Sequence, residues 1–129
     1  MTSIKRNVRI CGELKCSVAE ALIDTGADRT VVPAGMAKDL GLKFTGSKLI
    51  LKSASGHDIE AEEATAHIMV NRSGCIANTA VVVPKDPSLK DVIIGNDFMQ
   101  DTSMVVGYTK PRIISCPSRS KISRQRTEA

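Results

Sequence analysis

The sequence predicts an all-β domain with a few short helices, on three observations. Val and Ile together number 23 against 7 Leu, and β-branched side chains, stiff at the first torsion, suit a pleated surface better than a helix. Short apolar clusters recur along the chain, among them Val8–Ile10, Leu22–Ile23, Leu49–Leu51, Ile68–Val70, Ala80–Val83 and Val92–Ile94. Turn-forming residues separate them at the spacing of successive strands. At 129 residues, 42% hydrophobic and 25% charged, the chain has the length and composition of one globular domain.

Each element follows from local chemistry. Asn7–Cys11 reads as a strand, Gly12–Glu13 as a turn, and Leu14–Ile23 as a longer strand that bends near Ala19–Glu20. Asp24–Asp28 is a loop and Thr30–Val32 a short strand. Ala34–Leu40 is a short helix, with Pro33 at its entry and Gly41 as its stop signal. Leu49–Ala54 and Asp58–Ala66 form two arms of a hairpin around Ser55-Gly56-His57, where glycine supplies the backbone freedom of a tight turn. Ile68–Asn71 and Ile76–Val83 make a second antiparallel pair across Arg72–Cys75. Val92–Ile94 leads into a short helix near Asn96–Asp101, and strands follow at Met104–Tyr108 and Arg112–Cys116.

Charge divides the chain in two. Of the formal net charge of +4, the segment Lys110–Ala129 carries +5, so residues 1–109 sum to −1. Beyond Pro117 the sequence is rich in Ser and Arg with Ile122 as its single aliphatic, too little to bury a core. The domain is therefore expected over residues 1–116, with a basic, disordered tail over 117–129. Such a tail is suited to weak contact with nucleic acid or another acidic partner, and the simpler reading is a solvated, solubilising tail.

Several functional classes are disfavoured. Phe44, Phe98 and Tyr108 are the only aromatics, too few for a base-stacking platform. There is no phosphate-binding Gly-Lys-Ser/Thr loop or dinucleotide fingerprint. No apolar run reaches the roughly 20 residues of a spanning helix, so no membrane association is expected. The N-terminus lacks a secretory apolar stretch, which makes a cytoplasmic product the expectation. In that compartment Cys11, Cys16, Cys75 and Cys116 read as free thiols. Cys11 and Cys16 flank a predicted hairpin where they would approach each other, but a metal site would need two more ligands there. His57 and His67 have no zinc-type partners in the sequence, and Glu60–Glu63 reads as a solvated face.

The chemistry centres on Ala21-Leu22-Ile23-Asp24-Thr25-Gly26-Ala27-Asp28-Arg29-Thr30-Val31-Val32. An apolar strand delivers a carboxylate into a turn made by Thr and Gly. Asp-Thr-Gly alone is weak, because Asp and Gly are common in turns. A second element adds weight: Asp91-Val92-Ile93-Ile94-Gly95-Asn96-Asp97-Phe98, about 70 residues after Asp24, is an apolar run ending in glycine at a helix entry.

Together these segments resemble the retropepsin-like aspartic proteases, the retroviral proteases and their cellular relatives. Leu22–Ala27 matches that family's apolar pair and Asp-Thr-Gly-Ala, and Ile93–Gly95 matches its apolar-apolar-Gly signature, in the same order around a hairpin flap. The resemblance spans Val8 to Cys116. It implies a half-barrel acid-protease domain, active as a symmetric homodimer on peptide or protein substrates, with no metal or organic cofactor.

Residue by residue, the resemblance makes Asp24 the catalytic aspartate. Thr25, Gly26, Ile94 and Gly95 become supports of the active-site loop, and Gly26 and Ala27 lie beside the substrate backbone. Asp28 matches an acidic residue that binds substrate backbone, its alternative being a structural salt-bridge partner. Ser55, Gly56 and His57 occupy the flap tip, without the glycine-rich run of retroviral flaps. Asn96-Asp97 stands where retroviral members often carry Arg-Asn, removing an arginine partner for Asp28. Ala27 stands where pepsin-like enzymes carry a hydroxyl that favours the ionised catalytic carboxylate, so the optimum is expected at roughly pH 4 to 6.

Two carboxylates must share a proton in this chemistry, and the chain has one Asp-Thr-Gly. Asp101-Thr102-Ser103 follows a helical rather than an apolar-strand context, so symmetry is expected to supply the second acid. The alternative of another class is a non-proteolytic peptide-binding or dimerisation module on the same fold.

Overall fold

The computed structural model describes residues 4–24, 26–52, 55–70 and 76–98, together with the backbone of 104–106 and 111–113. Thr25, Arg72–Cys75, Asp101, Cys116 and the tail from Pro117 lie outside the described residues, and with them the expectations placed there.

The first two strands, β1 (Ile4–Cys11) and β2 (Cys16–Ile23), form an antiparallel hairpin with Cys11 opposite Cys16 and Ile4 opposite Ile23. Alternation decides which face is buried: Val8 and Ile10 point into the core while Asn7 and Arg9 face outward. The hairpin turn closes from Gly12 N–H to Lys15 carbonyl at 3.0 Å, so Leu14 belongs to the turn and β2 begins later than the apolar pattern suggests. Register also corrects the reading of Cys11 and Cys16 as free thiols. They are cross-strand partners with Cα atoms 4.0 Å apart and are joined by a disulfide. The compartment argument carried no information on that geometry.

Helix α1 (Ala34–Leu40) matches its expected bounds. Pro33 precedes it, and Gly41 ends it in the left-handed region at φ 71°. Its inner face buries Ala37 and Leu40. The β1–β2 turn docks on its C-terminus, where Leu14 N–H donates to the Leu40 carbonyl and Glu13 N–H to that of Gly41, both at 3.0 Å.

Strands β3 (Lys43–Lys52) and β4 (Asp58–Val70) make the flap hairpin, and β4 continues far beyond it. One edge of β4 pairs first with β3 and then, through His67–Val70, with β1; its other edge pairs with β5 (Ile76–Pro84). The two separate strands expected on either side of His67 are thus one 13-residue strand. Ala64, Ala66, Ile68 and Val70 keep the inward alternation through it while His67 faces solvent.

A short strand, β6 (Val92–Ile94), lies parallel to β2 with Leu22 opposite Ile93. Between β6 and β5 runs the chain after the Asp24 loop. Here the expected strand Thr30–Val32 is reduced to isolated bridges from Val31 to Val82 and Ile93. Beyond a helical turn at Asn96–Phe98, β7 (Met104–Val106) and β8 (Pro111–Ile113) pair antiparallel as a separate two-stranded sheet. The core joins Val8, Ile10, Ile23, Leu40, Ile68, Val81, Ile94 and Phe98, all almost fully buried. Truncating Phe98 to alanine there would cost about 3–5 kcal/mol by the usual scale of core cavities.

Candidate active site

The two sequence signatures interlock through backbone hydrogen bonds. β2 ends at buried Ile23, and Asp24 N–H donates to the Ile94 carbonyl at the end of β6, 3.0 Å away. The loop then folds on itself. Gly26 N–H donates to Asp24 Oδ1 at 2.9 Å, and Ala27 N–H to the Asp24 carbonyl at 3.2 Å. The returning segment closes the other side: Asn96 N–H donates to the Ala27 carbonyl at 2.8 Å, and Asp97 N–H to that of Asp28 at 3.3 Å. Asp24 is therefore fixed from both flanks, and its carboxylate remains at the surface of a groove.

Gly95 explains why the second signature ends in glycine. A Cβ on it would stand 2.6 Å from the Arg29 backbone and 2.9 Å from the Ala27 carbonyl, closer than real Cβ atoms come. Its N–H donates to Thr30 Oγ1 at 3.1 Å. Fully buried Thr30 is thereby satisfied as acceptor and donor, because its hydroxyl also donates to Asp97 Oδ1 at 2.7 Å. Asp97 further accepts the backbone N–H groups of Thr30 at 3.0 Å and Phe98 at 2.7 Å.

Arg29, Thr30, Glu63 and Asp97 are site residues that sequence reasoning missed. The Arg29 guanidinium donates to Glu63 Oε2 at 2.9 Å and to the Ala80 carbonyl at 3.2 Å, and its Nε lies 3.6 Å from Asp97 Oδ2. Glu63 also accepts from Thr45 Oγ1 at 3.1 Å. The Arg29 bond, and then that of Thr45, holds the Glu63 carboxyl below the usual carboxylate range. The expected solvated face at Glu60–Glu63 is corrected at two positions, since Ala61 is buried and Glu63 is half-buried in this network.

Asp28 is exposed and lines the groove, and none of the ion pairs among the described residues includes it. The groove has a volume of about 790 Å3. Val31, Ile59, Leu49, Leu51 and Ile93 give it an apolar lining around Asp24, Gly26 and Ala27, with Lys52, Lys90 and Asp91 among its charged residues. The flap contributes through its two arms. Ser55, Gly56 and His57 sit at the exposed turn beyond that lining, where Gly56 has φ 86° and Ser55 Oγ lies 3.0 Å from His57 Nδ1.

Compared with known protein families, residues 10–101 match the one described as gag-polyprotein putative aspartyl protease. The chain belongs to this aspartyl protease family. Both interlocked signatures fall inside the matched segment, and β7 and β8 fall beyond it. Among solved structures, EIAV protease complexed with the inhibitor HBY-793 matches with a TM-score of 0.61. The match has 22% sequence identity and covers 82% of this chain and 93% of that one. At that identity the likeness is one of fold, and the fold is retropepsin-like. No curated protein sequence matches the chain.

Proposed function

We propose that this aspartyl protease domain is an endopeptidase whose active site forms between two copies of the chain, each contributing Asp24. The reading rests on one observation: a carboxylate held rigidly by backbone bonds on both flanks stands in a groove with an apolar lining. A peptide lying there is desolvated along its side chains while its backbone passes Asp24, Gly26 and Ala27. One Asp24 is half of the chemistry, and a two-fold axis beside the loop supplies the other half.

The pair then works as acid and base. Like charges this close cannot both persist, so the two carboxyls share one proton. The ionised member takes a proton from water as its oxygen attacks the peptide carbonyl carbon, and the protonated member gives its proton to the carbonyl oxygen. In the tetrahedral intermediate the C–N bond then breaks. The nitrogen leaves with the proton held by the carboxyl that had taken it from water, while the other carboxylate takes one back from a hydroxyl of the intermediate. Acid and amine products result, and the pair again holds one proton. Asp28 lies next to this path in the groove and is suited to accept from substrate backbone N–H groups.

The test is cleavage of an unfolded protein substrate between about pH 4 and 6, the range expected of a coupled dyad. Asp24→Asn in both subunits should lower the rate by roughly 10²–10⁴-fold, the usual contribution of positioned acid–base groups, without changing the melting profile. Activity per subunit of the wild type should fall on dilution below the dimer dissociation constant. Undiminished cleavage by Asp24→Asn would refute the assignment, and peptide binding without cleavage would favour a binding module.

A further inference from the structure

We infer that Arg29 is a positioning residue that ties the base of the flap to the Asp24 loop through Glu63. The inference rests on the reading of Asp24 as catalytic. The two ends of the tether belong to parts that must act together on a substrate; their backbones are otherwise joined indirectly, through Val82 of β5, which bonds Thr30 and Val32 and stands opposite Glu63. Arg29 lies five residues after Asp24, in the segment fastened to the second signature. Glu63 lies on β4, the strand that forms the second arm of the flap. Thr45, on the first arm, donates to the other oxygen of the same carboxylate. Glu63 thus gathers both arms of the hairpin and hands them to one guanidinium.

The geometry suits arginine and no other cation. Nη2 serves Glu63 at 2.9 Å and the Ala80 carbonyl of β5 at 3.2 Å, while Nε faces Asp97 at 3.6 Å. A planar fork reaches three such acceptors at fixed angles, whereas an ammonium is a single point charge. Side-chain exposures of 33% for Arg29 and 24% for Glu63 leave the pair less screened than a surface bridge. Asp97 is already satisfied by Thr30 and Phe98, so the bond to Glu63 is the one that reaches the flap. The expected consequence is on substrate capture. Asp24's own backbone bonds do not involve Arg29, so the chemical step should be little affected.

The experiment combines peptide kinetics with hydrogen exchange on the full chain, comparing wild type with Arg29→Met, Arg29→Lys and Glu63→Gln. Arg29→Met should raise KM about fivefold to tenfold with kcat lowered less than about threefold, and Arg29→Lys should recover part of the loss. Amides of Leu49–Lys52 and Asp58–Ala61 should exchange faster in Arg29→Met, while those of Ile10 and Ile68 in the core keep wild-type protection. If Arg29→Met does not fold, Glu63→Gln, which keeps the shape and removes the charge, should show the same split at smaller amplitude. Unchanged flap exchange and KM in a folded variant would overturn the tether, as would a loss spread evenly over the core. The exchange arm reads the tether even if Asp24→Asn shows the catalytic assignment to be wrong.

Discussion

The Asp24 loop and the flap face each other across one groove and are built on opposite terms. Around Asp24 the chain is fastened by main-chain bonds to Ile94, Asn96 and Asp97, and buried Thr30 and Gly95 leave it no room to shift. The flap turn at Ser55–His57 is exposed, with Gly56 in open space, and the β3 arm leading to it is largely exposed along its length. On the proposed reading of Asp24 as the reacting carboxylate, the group that must meet a bond within a fraction of an ångström is the over-determined one. The flap beyond Glu63 rests on its own two strands, the β5 ladder at Ala61–Glu62 and the exposed pairs Lys52–Asp58 and Lys85–Glu60, with the half-buried Arg29–Glu63 pair at its base.

Paired glycines offer the sharpest way to break this contrast. Gly95→Ala forces a Cβ into the backbone of Arg29 and Ala27. It should cost about 1–3 kcal/mol, as overpacking does, with most activity lost because Asp24's frame must move; denaturant titration and a cleavage assay read both. A Gly95→Ala protein of wild-type stability would show the loop to be less braced than described.

A middle-sized effect concerns acid. The folded state holds the Glu63 carboxyl below its usual range, chiefly through Arg29. The folded chain therefore binds fewer protons there than the unfolded one as pH approaches that range. This stabilisation is fully present above the ordinary glutamate value and is lost as pH falls through the depressed folded value. Wild type should exceed Glu63→Gln in stability by about 1 kcal/mol or less at neutral pH, given partial exposure. The gap should close on acidification, as urea midpoints from pH 7 down to pH 3 would show; a gap that widens toward acid would contradict the Arg29–Glu63 bond.

Gly56→Ala should have the smallest effect on stability. The new methyl meets nothing within 4 Å, and the strain of a left-handed residue is shed by local relaxation of the exposed turn. Global melting should move little, and exchange at the flap turn should change before anything in the core does.

How far the sequence could be read follows the same division. The turn after Asp24 and the glycine that ends the second signature were legible because each is set by a short local segment, and helix Ala34–Leu40 was bounded by Pro33 and Gly41. The network of Arg29, Glu63 and Asp97 was hidden, since its members lie 34 and 68 positions apart in partnerships that only the fold creates. The replacement of Arg-Asn by Asn96-Asp97 was a signal. It pointed to a lost arginine, and the arginine that pairs with Asp97 stands at Arg29, on the other signature. At His67 a polar residue interrupted an apolar pattern and suggested two strands, although an outward position in an alternating strand accepts one at no cost. The disulfide depended on register, which a turn of four residues sets and composition does not.

The bond from Asp24 N–H to the Ile94 carbonyl also has a consequence in time. Ile94 follows Asp24 by 70 residues, so a chain emerging from the ribosome forms the β1–β2 hairpin long before the parallel strand that secures its end exists. Parallel pairing across such a separation is slow and comes late. The carboxylate is synthesised early and takes up its fixed place only after β6 has been made, so a nascent or truncated product ending before Ile94 carries the motif without the frame that holds it.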